Sequence, residues 1–175
     1  MLTEKIKNKT RDVEDFPTPG ILFKDITPIL SDPLLCGEIS LAFVEKLEHL
    51  SIDAIVGVES RGFLFGMMLA NKLGIPFIPV RKKGKLPYKT ISHKYDLEYG
   101  SAEVEMHVDS LAKDWNVLVH DDLLATGGTA CAAAELILQS QAKVAGFAFL
   151  IELDFLNGCN KLKKYTNNII SLIHY

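Results

Sequence analysis

The stretch VLVHDDLLATGGT, residues 117–129, decides how the rest of the chain is interpreted. An apolar run of strand length leads into two adjacent carboxylates, then into a loop of small residues that opens an Ala-rich, helix-favouring stretch. Glycines let successive backbone N–H groups of such a loop converge, and the start of the helix adds its positive end. The loop is therefore predicted to hold an anion, and its residues are Ala125, Thr126, Gly127, Gly128 and Thr129.

Asp121 and Asp122 precede this loop, although two carboxylates would repel a bare polyphosphate. They suit a ligand that also carries a sugar, because carboxylates accept hydrogen bonds from vicinal hydroxyls and act on a divalent cation through its water shell. A phosphorylated ribose meets both demands. The simpler alternative is a solvated acidic turn that caps a helix, and the TGGT sequence disfavours it. The loop is not a Walker A motif, since it lacks Gly-Lys-Ser/Thr.

Outward from this stretch, apolar runs of strand length alternate with helical stretches. This alternation favours an α/β fold with an open, mainly parallel twisted sheet flanked by helices, and with ligands at the carboxyl ends of the strands. Residues 81–101 are polar and aromatic without a clean period, so we predict a functional or disordered loop there. Strands are predicted over residues 53–58, 75–80, 102–109, 116–120, 143–152 and 169–174, and helices over about 33–49, 62–73 and 129–141.

The composition sets limits on the class of protein. A chain of 175 residues, 48% hydrophobic and 23% charged, is expected to fold as a single domain over residues 1–175. The net charge of −3 argues against nucleic acid or a membrane surface as partner. Neither a secretory signal nor a membrane span is evident, so a cytoplasmic location is expected. Cys36, Cys131 and Cys159 are far apart and form no zinc-binding pattern, so metal ligands are not expected among them.

The stretch at 117–129 resembles the phosphoribosyl pyrophosphate loop of the type I phosphoribosyltransferases. Four further motifs are similar to the adenine-accepting members of that family, and they occur in the same order: FPTPGILFKD (16–25), SRGFLFG (60–66), RKKGKLP (81–87) and LEYGSAEVE (97–105). The resemblance implies the type I phosphoribosyltransferase fold, with a small N-terminal hood at about 1–33 and a flexible lid loop at about 82–101. It also implies purine salvage, in which the 5-phosphoribosyl group of phosphoribosyl pyrophosphate passes to adenine and gives AMP and pyrophosphate.

Two segments that follow predicted strands carry the cations such a donor needs, because negative charge builds on the leaving pyrophosphate. They are Glu59-Ser60-Arg61 and the basic run 81–85. Lys83 is expected to be a solvated charge. The residues predicted to bind the pyrophosphate are Arg61, Arg81, Lys82 and Lys85. The resemblance adds Glu59 and Ser60 to the substrate-binding residues, because their peptide lies at the pyrophosphate site in the family.

The resemblance assigns further roles to individual residues. Phe23 would stack on adenine while the backbone around Leu22 and Lys24 contacts its edge, although plain core packing of Phe23 stays open. Glu98 would be the acid/base that serves the purine ring, and Tyr99 would help to position the loop. Arg61 would belong to the catalytic group as well.

The family resemblance also implies Mg²⁺ carried mainly by the pyrophosphate, rather than by protein ligands, and a homodimer with the basic residues near its interface. The Glu59–Ser60 peptide would be cis, as is often found in the family. Position 59 departs from the family pattern, in which Asp is familiar. His120 also replaces a more familiar apolar residue, and we expect it to be a hydrogen-bonded structural histidine.

Three alternatives stay open from the sequence. A phosphoribosyltransferase for hypoxanthine or guanine would share the donor loop, but the hood motif and LEYG favour adenine. A regulator that senses the donor and binds RNA or DNA would need a basic surface, which a net charge of −3 does not favour. A structural protein with a vestigial loop would not explain the other intact motifs.

Overall fold

The computed structural model describes residues 1–96 and 100–175. The strands are β1 (Arg11–Glu14), β2 (Leu22–Asp25), β3 (Ala54–Val58), β4 (Phe77–Lys82), β5 (Thr90–Asp96), β6 (Ser101–His107), β7 (Asn116–Leu124), β8 (Lys143–Glu152) and β9 (Ile169–His174). The helices are α1 (Leu2–Lys9), α2 (Thr27–Leu30), α3 (Pro33–Leu47), α4 (Gly62–Leu73), α5 (Gly128–Gln139) and α6 (Gly158–Leu162), and a 3₁₀ turn spans Asp154–Leu156. Within the described residues no helix has both the length and the apolar character that crossing a membrane requires.

The described strands form a main sheet of seven in the order β5-β6-β4-β3-β7-β8-β9. The five neighbouring strands β4, β3, β7, β8 and β9 pair in parallel. β6 runs antiparallel to both β4 and β5. A separate antiparallel pair, β1 and β2, lies near the N-terminus. The predicted α/β class with a mainly parallel sheet is confirmed.

Helices cover both faces of the sheet, and the central strands are buried between them. All five residues of β3 are buried. Its alternate side chains enter two different cores: Val56 lies in a cluster with Ala133 of α5, whereas Ile55 lies with Phe43 of α3 and Phe65 of α4. A strand that is buried on both faces has a continuous apolar sequence, which is why AIVGV was recognisable.

Two regions differ from the sequence-based prediction. Residues predicted as an irregular loop contain β5, which pairs along its whole length with β6. As an edge strand, β5 packs only a few apolar side chains such as Ile91 and Tyr95 against the core, so its sequence lacks a clear alternation. In addition, β7 continues through Asp121 and Asp122 to Leu124, because its backbone stays paired with β8 to that point.

Candidate active site

Three neighbouring parallel strands, β4, β3 and β7, place their carboxyl ends side by side. A cleft of about 400 Å³ opens there. The order of these strands explains why residues far apart in sequence meet at one edge of the sheet. The residues that line the cleft are Glu59, Ser60, Arg61, Lys82, Asp121, Asp122, Leu123 and Thr129.

A smaller pocket of about 80 Å³ adjoins the cleft and is formed by the loop between β7 and α5. Its lining includes the whole predicted anion loop, Ala125–Thr129. Gly127 has a φ of 79°, a left-handed conformation that glycine adopts without a steric cost, and α5 begins at the next residue. The backbone N–H groups at the start of α5 therefore adjoin a pocket of a size suited to a phosphate group.

The floor of the cleft carries two adjacent acids, the partly buried Asp121 and the buried Asp122. Asp122 is 2% exposed, and its Oδ2 lies 2.6 Å from Nε of Arg61, close enough for an ion pair although not aligned as a hydrogen bond. Burial raises the pKa of Asp121 well above its ordinary value, and the adjacent charge of Asp122 raises it further. Burial also raises the pKa of Asp122, against the opposing effect of Arg61. Two carboxylates held so close require positive or hydrogen-bond-donating partners to ionise fully.

Arg61 connects these acids to the N-terminal segment. Its guanidinium carbon lies 4.7 Å from the ring centroid of Phe23, in a cation–π arrangement. The edge of a second ring, Phe16, meets Phe23 at a centroid distance of 5.0 Å. Phe23 thus lies beside the cleft rather than in either of the two core clusters, and the alternative of plain core packing is not what the structure has.

The two residues that flank Phe23 differ in exposure. Leu22 is 47% exposed, whereas Lys24 is 8% exposed. The ammonium of Lys24 lies 2.7 Å from Oδ1 of Asp12 and 4.0 Å from the ring centroid of Tyr175. The side chain of Lys24 therefore links β2 to β1 and to the C-terminus, and its ammonium does not line the cleft.

The segment after β3 confirms one prediction: the Glu59–Ser60 peptide is cis. The carboxylate of Glu59 accepts hydrogen bonds from Nε and Nη2 of Arg81, at 3.2 and 3.1 Å, and from the backbone N–H of Lys82 at 2.9 Å. These donors lower the pKa of Glu59, with the Arg81 hydrogen bond as the largest cause. Glu59 is long enough to reach across to β4 and hold it.

The structure does not bring every predicted pyrophosphate ligand into the cleft. Lys82 lines it, but Arg81 and Lys85 do not. Arg81 instead is occupied by Glu59, and its Nη1 donates to the carbonyl oxygen of Lys85 at 3.2 Å. Lys83 pairs with Glu103 at 2.7 Å, as a solvated surface charge would. The predicted catalytic residues Glu98 and Tyr99 lie outside the described residues.

The expectation of a hydrogen-bonded His120 is wrong. His120 is fully buried, and neither ring nitrogen has a partner in hydrogen-bond geometry within the described part of the chain. Burial lowers its pKa to about 4, and the nearby backbone of Ala148 offsets this only in part. The ring packs edge-on against Phe43, with centroids 5.3 Å apart, so it behaves as a neutral core group.

Three site-supporting residues escaped the sequence analysis. Glu105 is 4% exposed and binds the segment after β4. Gly158 packs on the anion loop so closely that an added Cβ would lie 2.1 Å from the carbonyl oxygen of Ala125. The hydroxyl of Tyr95 lies 3.2 Å from that of Thr129. None of the three gave a signal in the sequence, because Glu105 lies at a polar position of the alternating strand, as the partly exposed Glu103 does.

The oxygen-rich floor of the cleft fits the Mg²⁺ that the family resemblance implies. Carboxylates are the ligands a hard cation prefers, and the raised pKa values of Asp121 and Asp122 indicate acids that a cation would stabilise in the ionised form. Elsewhere in the described residues, Glu152, Asp154 and His174 have the spacing of metal ligands. None of these three lines the cleft, and two of them are exposed.

Comparison with known proteins shows the family to which the chain belongs. A model of the phosphoribosyl transferase domain family matches residues 28–171. The adenine phosphoribosyltransferase of Cytophaga hutchinsonii is 51% identical over 175 residues, which cover 100% of this chain and 97% of the relative.

Two solved structures extend this likeness to three dimensions. The adenine phosphoribosyltransferase of Thermoanaerobacter pseudethanolicus superposes with a TM-score of 0.96 at 46% identity and covers both chains fully. The enzyme of Saccharomyces cerevisiae, in complex with adenine and an imino-altritol bisphosphate, has a TM-score of 0.91 at 41% identity over 98% of both chains.

Proposed function

The chain belongs to the adenine phosphoribosyltransferases, and from this membership we propose how its own residues carry out the reaction of the family. The protein transfers the 5-phosphoribosyl group of phosphoribosyl pyrophosphate to adenine and thereby forms AMP and pyrophosphate in purine salvage. The observation that carries the assignment is the cleft at the ends of β3, β4 and β7, where cations, buried acids and an anion loop converge.

The donor's ribose 5-phosphate occupies the loop Ala125–Thr129 in this proposal. The backbone N–H groups at the start of α5 bind the 5-phosphate, and the hydroxyls of Thr126 and Thr129 add donors. Asp121 and Asp122 accept hydrogen bonds from the ribose hydroxyls. Support for this placement comes from the position of Asp121, which lines both the cleft and the small pocket, and from the burial of the adjacent Asp122 on the cleft floor.

The pyrophosphate lies against the segment 59–61 and Lys82, with Lys85 at its outer side. Arg61 and Lys82 stabilise the negative charge that develops on the leaving group as the anomeric carbon becomes cationic. Arg81 supports the site indirectly, because Glu59 and the carbonyl of Lys85 already occupy its guanidinium.

Adenine stacks on Phe23, and the backbone around Leu22 and Lys24 contacts the edge of the base. Arg61 now covers the Phe23 ring, so the base and the guanidinium must share or exchange that face. Glu98 is the acid/base that serves the purine ring and Tyr99 positions it.

Mg²⁺ bound with the donor supplies positive charge to the pyrophosphate, and Asp121 and Asp122 would hold it through its water shell. A homodimer stays a prediction from the resemblance, and a cytoplasmic location stays a prediction from the sequence.

The assignment is tested by measuring AMP and pyrophosphate formation with wild type and Glu98→Gln, in the presence of Mg²⁺. Wild type should form both products in equal amounts. The variant should lose turnover by about 10²-fold while it keeps the donor affinity, because a glutamine cannot transfer the proton. A wild type that forms no AMP contradicts the function, whereas unchanged turnover in the variant contradicts only the role of Glu98.

A further inference from the structure

Residues 83–89 connect β4 to β5 and cross over β6, the strand that lies between them in the sheet. β6 lies between β4 and β5, and its Glu105 is in register with Arg81 on one side and Ser92 on the other. Glu105 is 4% exposed, although a buried carboxylate is costly unless it is fully paired. Its position places it directly beneath the connection that carries Lys85.

The carboxylate of Glu105 accepts hydrogen bonds from this connection. Its Oε1 accepts hydrogen bonds from the backbone N–H groups of Lys85 and Leu86, both at 2.9 Å, and its Oε2 accepts from the hydroxyl of Thr90 at 3.2 Å. Burial alone would raise the pKa of Glu105, but these hydrogen bonds outweigh it and the pKa is lowered. The carboxylate is thus favoured in its ionised form, and all three of its hydrogen bonds among the described residues come from the connection and from Thr90.

A second interaction fixes the backbone of Lys85. Arg81, itself held by Glu59, donates from Nη1 to the carbonyl oxygen of Lys85 at 3.2 Å. Both backbone polar groups of Lys85 are therefore fixed, the N–H by Glu105 and the C=O by Arg81. The ammonium groups of Lys82 and Lys85, in contrast, form no ion pair with any carboxylate in residues 1–96 and 100–175. A fixed backbone with free ammonium groups suits an anion that arrives from solution.

We propose that Glu105 is a positioning residue for the donor: it fixes the backbone of residues 85–86, so that the basic segment is set for pyrophosphate before the donor binds. The proposal rests on the proposed function, which places the pyrophosphate against this segment. Because Glu105 does not touch the ligand, its contribution is to remove the conformational cost of ordering the segment on binding. Its loss should weaken donor binding and leave adenine binding unchanged.

The test compares Glu105→Leu with Glu105→Gln. Leucine removes all acceptors at similar volume, and the Michaelis constant for phosphoribosyl pyrophosphate should rise about tenfold, which corresponds to about 1.4 kcal/mol. Glutamine keeps the amide oxygen that can accept from both backbone N–H groups, so it should restore most of the donor affinity. The Michaelis constant for adenine should stay at the wild-type value in both variants.

Glu103→Leu is the matched control, since Glu103 lies two residues earlier on the same face of β6. Among the described residues its carboxylate accepts hydrogen bonds from Lys83 and Ser92 and from neither Lys85 nor Leu86. It should leave both Michaelis constants unchanged. A Michaelis constant does not depend on the concentration of folded enzyme, so partial unfolding of a variant lowers the rate without imitating the predicted effect.

Equilibrium binding of phosphoribosyl pyrophosphate with Mg²⁺ separates this proposal from the proposed function. A wild type that binds the donor but forms no AMP would contradict the function and still allow the Glu105 comparison. Three outcomes overturn the positioning role: unchanged donor affinity in Glu105→Leu, equal losses in the leucine and glutamine variants, or a matching rise in the Michaelis constant for adenine.

Discussion

At the scale of single residues, His120 is a polar side chain that packs in the hydrophobic core. Its ring fills the space between Phe43 and the close-packed Gly66, where an added Cβ would lie 3.3 Å from the histidine ring. A neutral imidazole is tolerated there, but an imidazolium would be a buried charge without a described partner. His120 should therefore make the free energy of unfolding depend on pH.

The direction of this pH dependence follows from the pKa of His120 in the folded and in the unfolded protein. The pKa of His120 is about 4 in the folded protein and close to 6.5 when unfolded, so the unfolded chain takes up a proton first as the pH falls. Stability is fully present above about pH 6.5 and declines toward about pH 4, by about 3 kcal/mol in all.

We predict that His120→Val removes most of this decline. Urea unfolding of both proteins at about pH 7.5 and about pH 5 should show that wild type loses about 2 kcal/mol more than the variant on acidification. Comparison with the variant cancels the contributions of the other titrating groups. An equal loss in the two proteins would mean that His120 does not remain neutral in the fold.

Asp121 and Asp122 are the opposite case at this scale. Their pKa values are raised by burial, so the ionised forms destabilise the empty protein. The acids are retained at a cost in stability, which is typical of groups whose partner is a ligand. Their presence before TGGT could be understood from the sequence, because no structural role required two carboxylates there. The degree to which these acids are buried could not be predicted from the sequence, because it depends on β7 continuing beside β8 as far as Leu124.

At the scale of elements, the anion loop depends on a second segment that packs against it. Gly158 opens α6, and its Cα faces the carbonyl of Ala125 and the side chain of Leu124. The glycine at 127 is constrained by the same contact, because an added Cβ there would lie 2.8 Å from the carbonyl oxygen of Gly158. Two backbones approach so closely only where neither carries a side chain.

We predict that Gly158→Ala displaces the loop. The added methyl would lie 2.1 Å from the oxygen of Ala125, which is shorter than any tolerated contact, so the loop or α6 must move. The Michaelis constant for phosphoribosyl pyrophosphate should rise about tenfold, and Tm should fall by about 4 °C. Steady-state kinetics and thermal unfolding measure the two effects.

Gly37→Ala provides the control for this substitution. Gly37 lies within α3, where an added Cβ meets nothing within 4 Å, and alanine favours the helix by about 0.5–1 kcal/mol. This control should keep wild-type kinetics and unfold at the same or a slightly higher temperature. Wild-type donor binding in Gly158→Ala would show that the contact does not shape the loop.

The elements also show where prediction from sequence succeeds. β3 and α4 were identified close to their observed bounds, because a strand buried on both faces and a long apolar helix have strong patterns. β5 was missed, since an edge strand is recognised by its partner β6 rather than by its own residues. Lys24 illustrates the same limit, because its contacts with Asp12 and Tyr175 join three distant parts of the chain.

At the scale of the whole molecule, function depends on the order of the strands. β4, β3 and β7 are neighbours although 33 residues separate the end of β4 from the start of β7, and this order gathers the segment 59–61, Lys82 and Asp121-Asp122 into one cleft. The sequence predicted that each group lies at the carboxyl end of a strand. It did not predict that Arg81 turns away to Glu59, because that choice depends on the three-dimensional distance between β3 and β4.

In the proposed reaction this cleft transfers phosphoribosyl groups to adenine, and the hood beside it sets the choice of base. The most direct measurement is the initial rate with phosphoribosyl pyrophosphate and Mg²⁺ when adenine, hypoxanthine, guanine and orotate are supplied one at a time. We expect AMP from adenine, with rates for the other bases lower by about 10³-fold or more, because their exocyclic groups leave polar groups unpaired at the site. A comparable or higher rate with any other base would contradict this expectation.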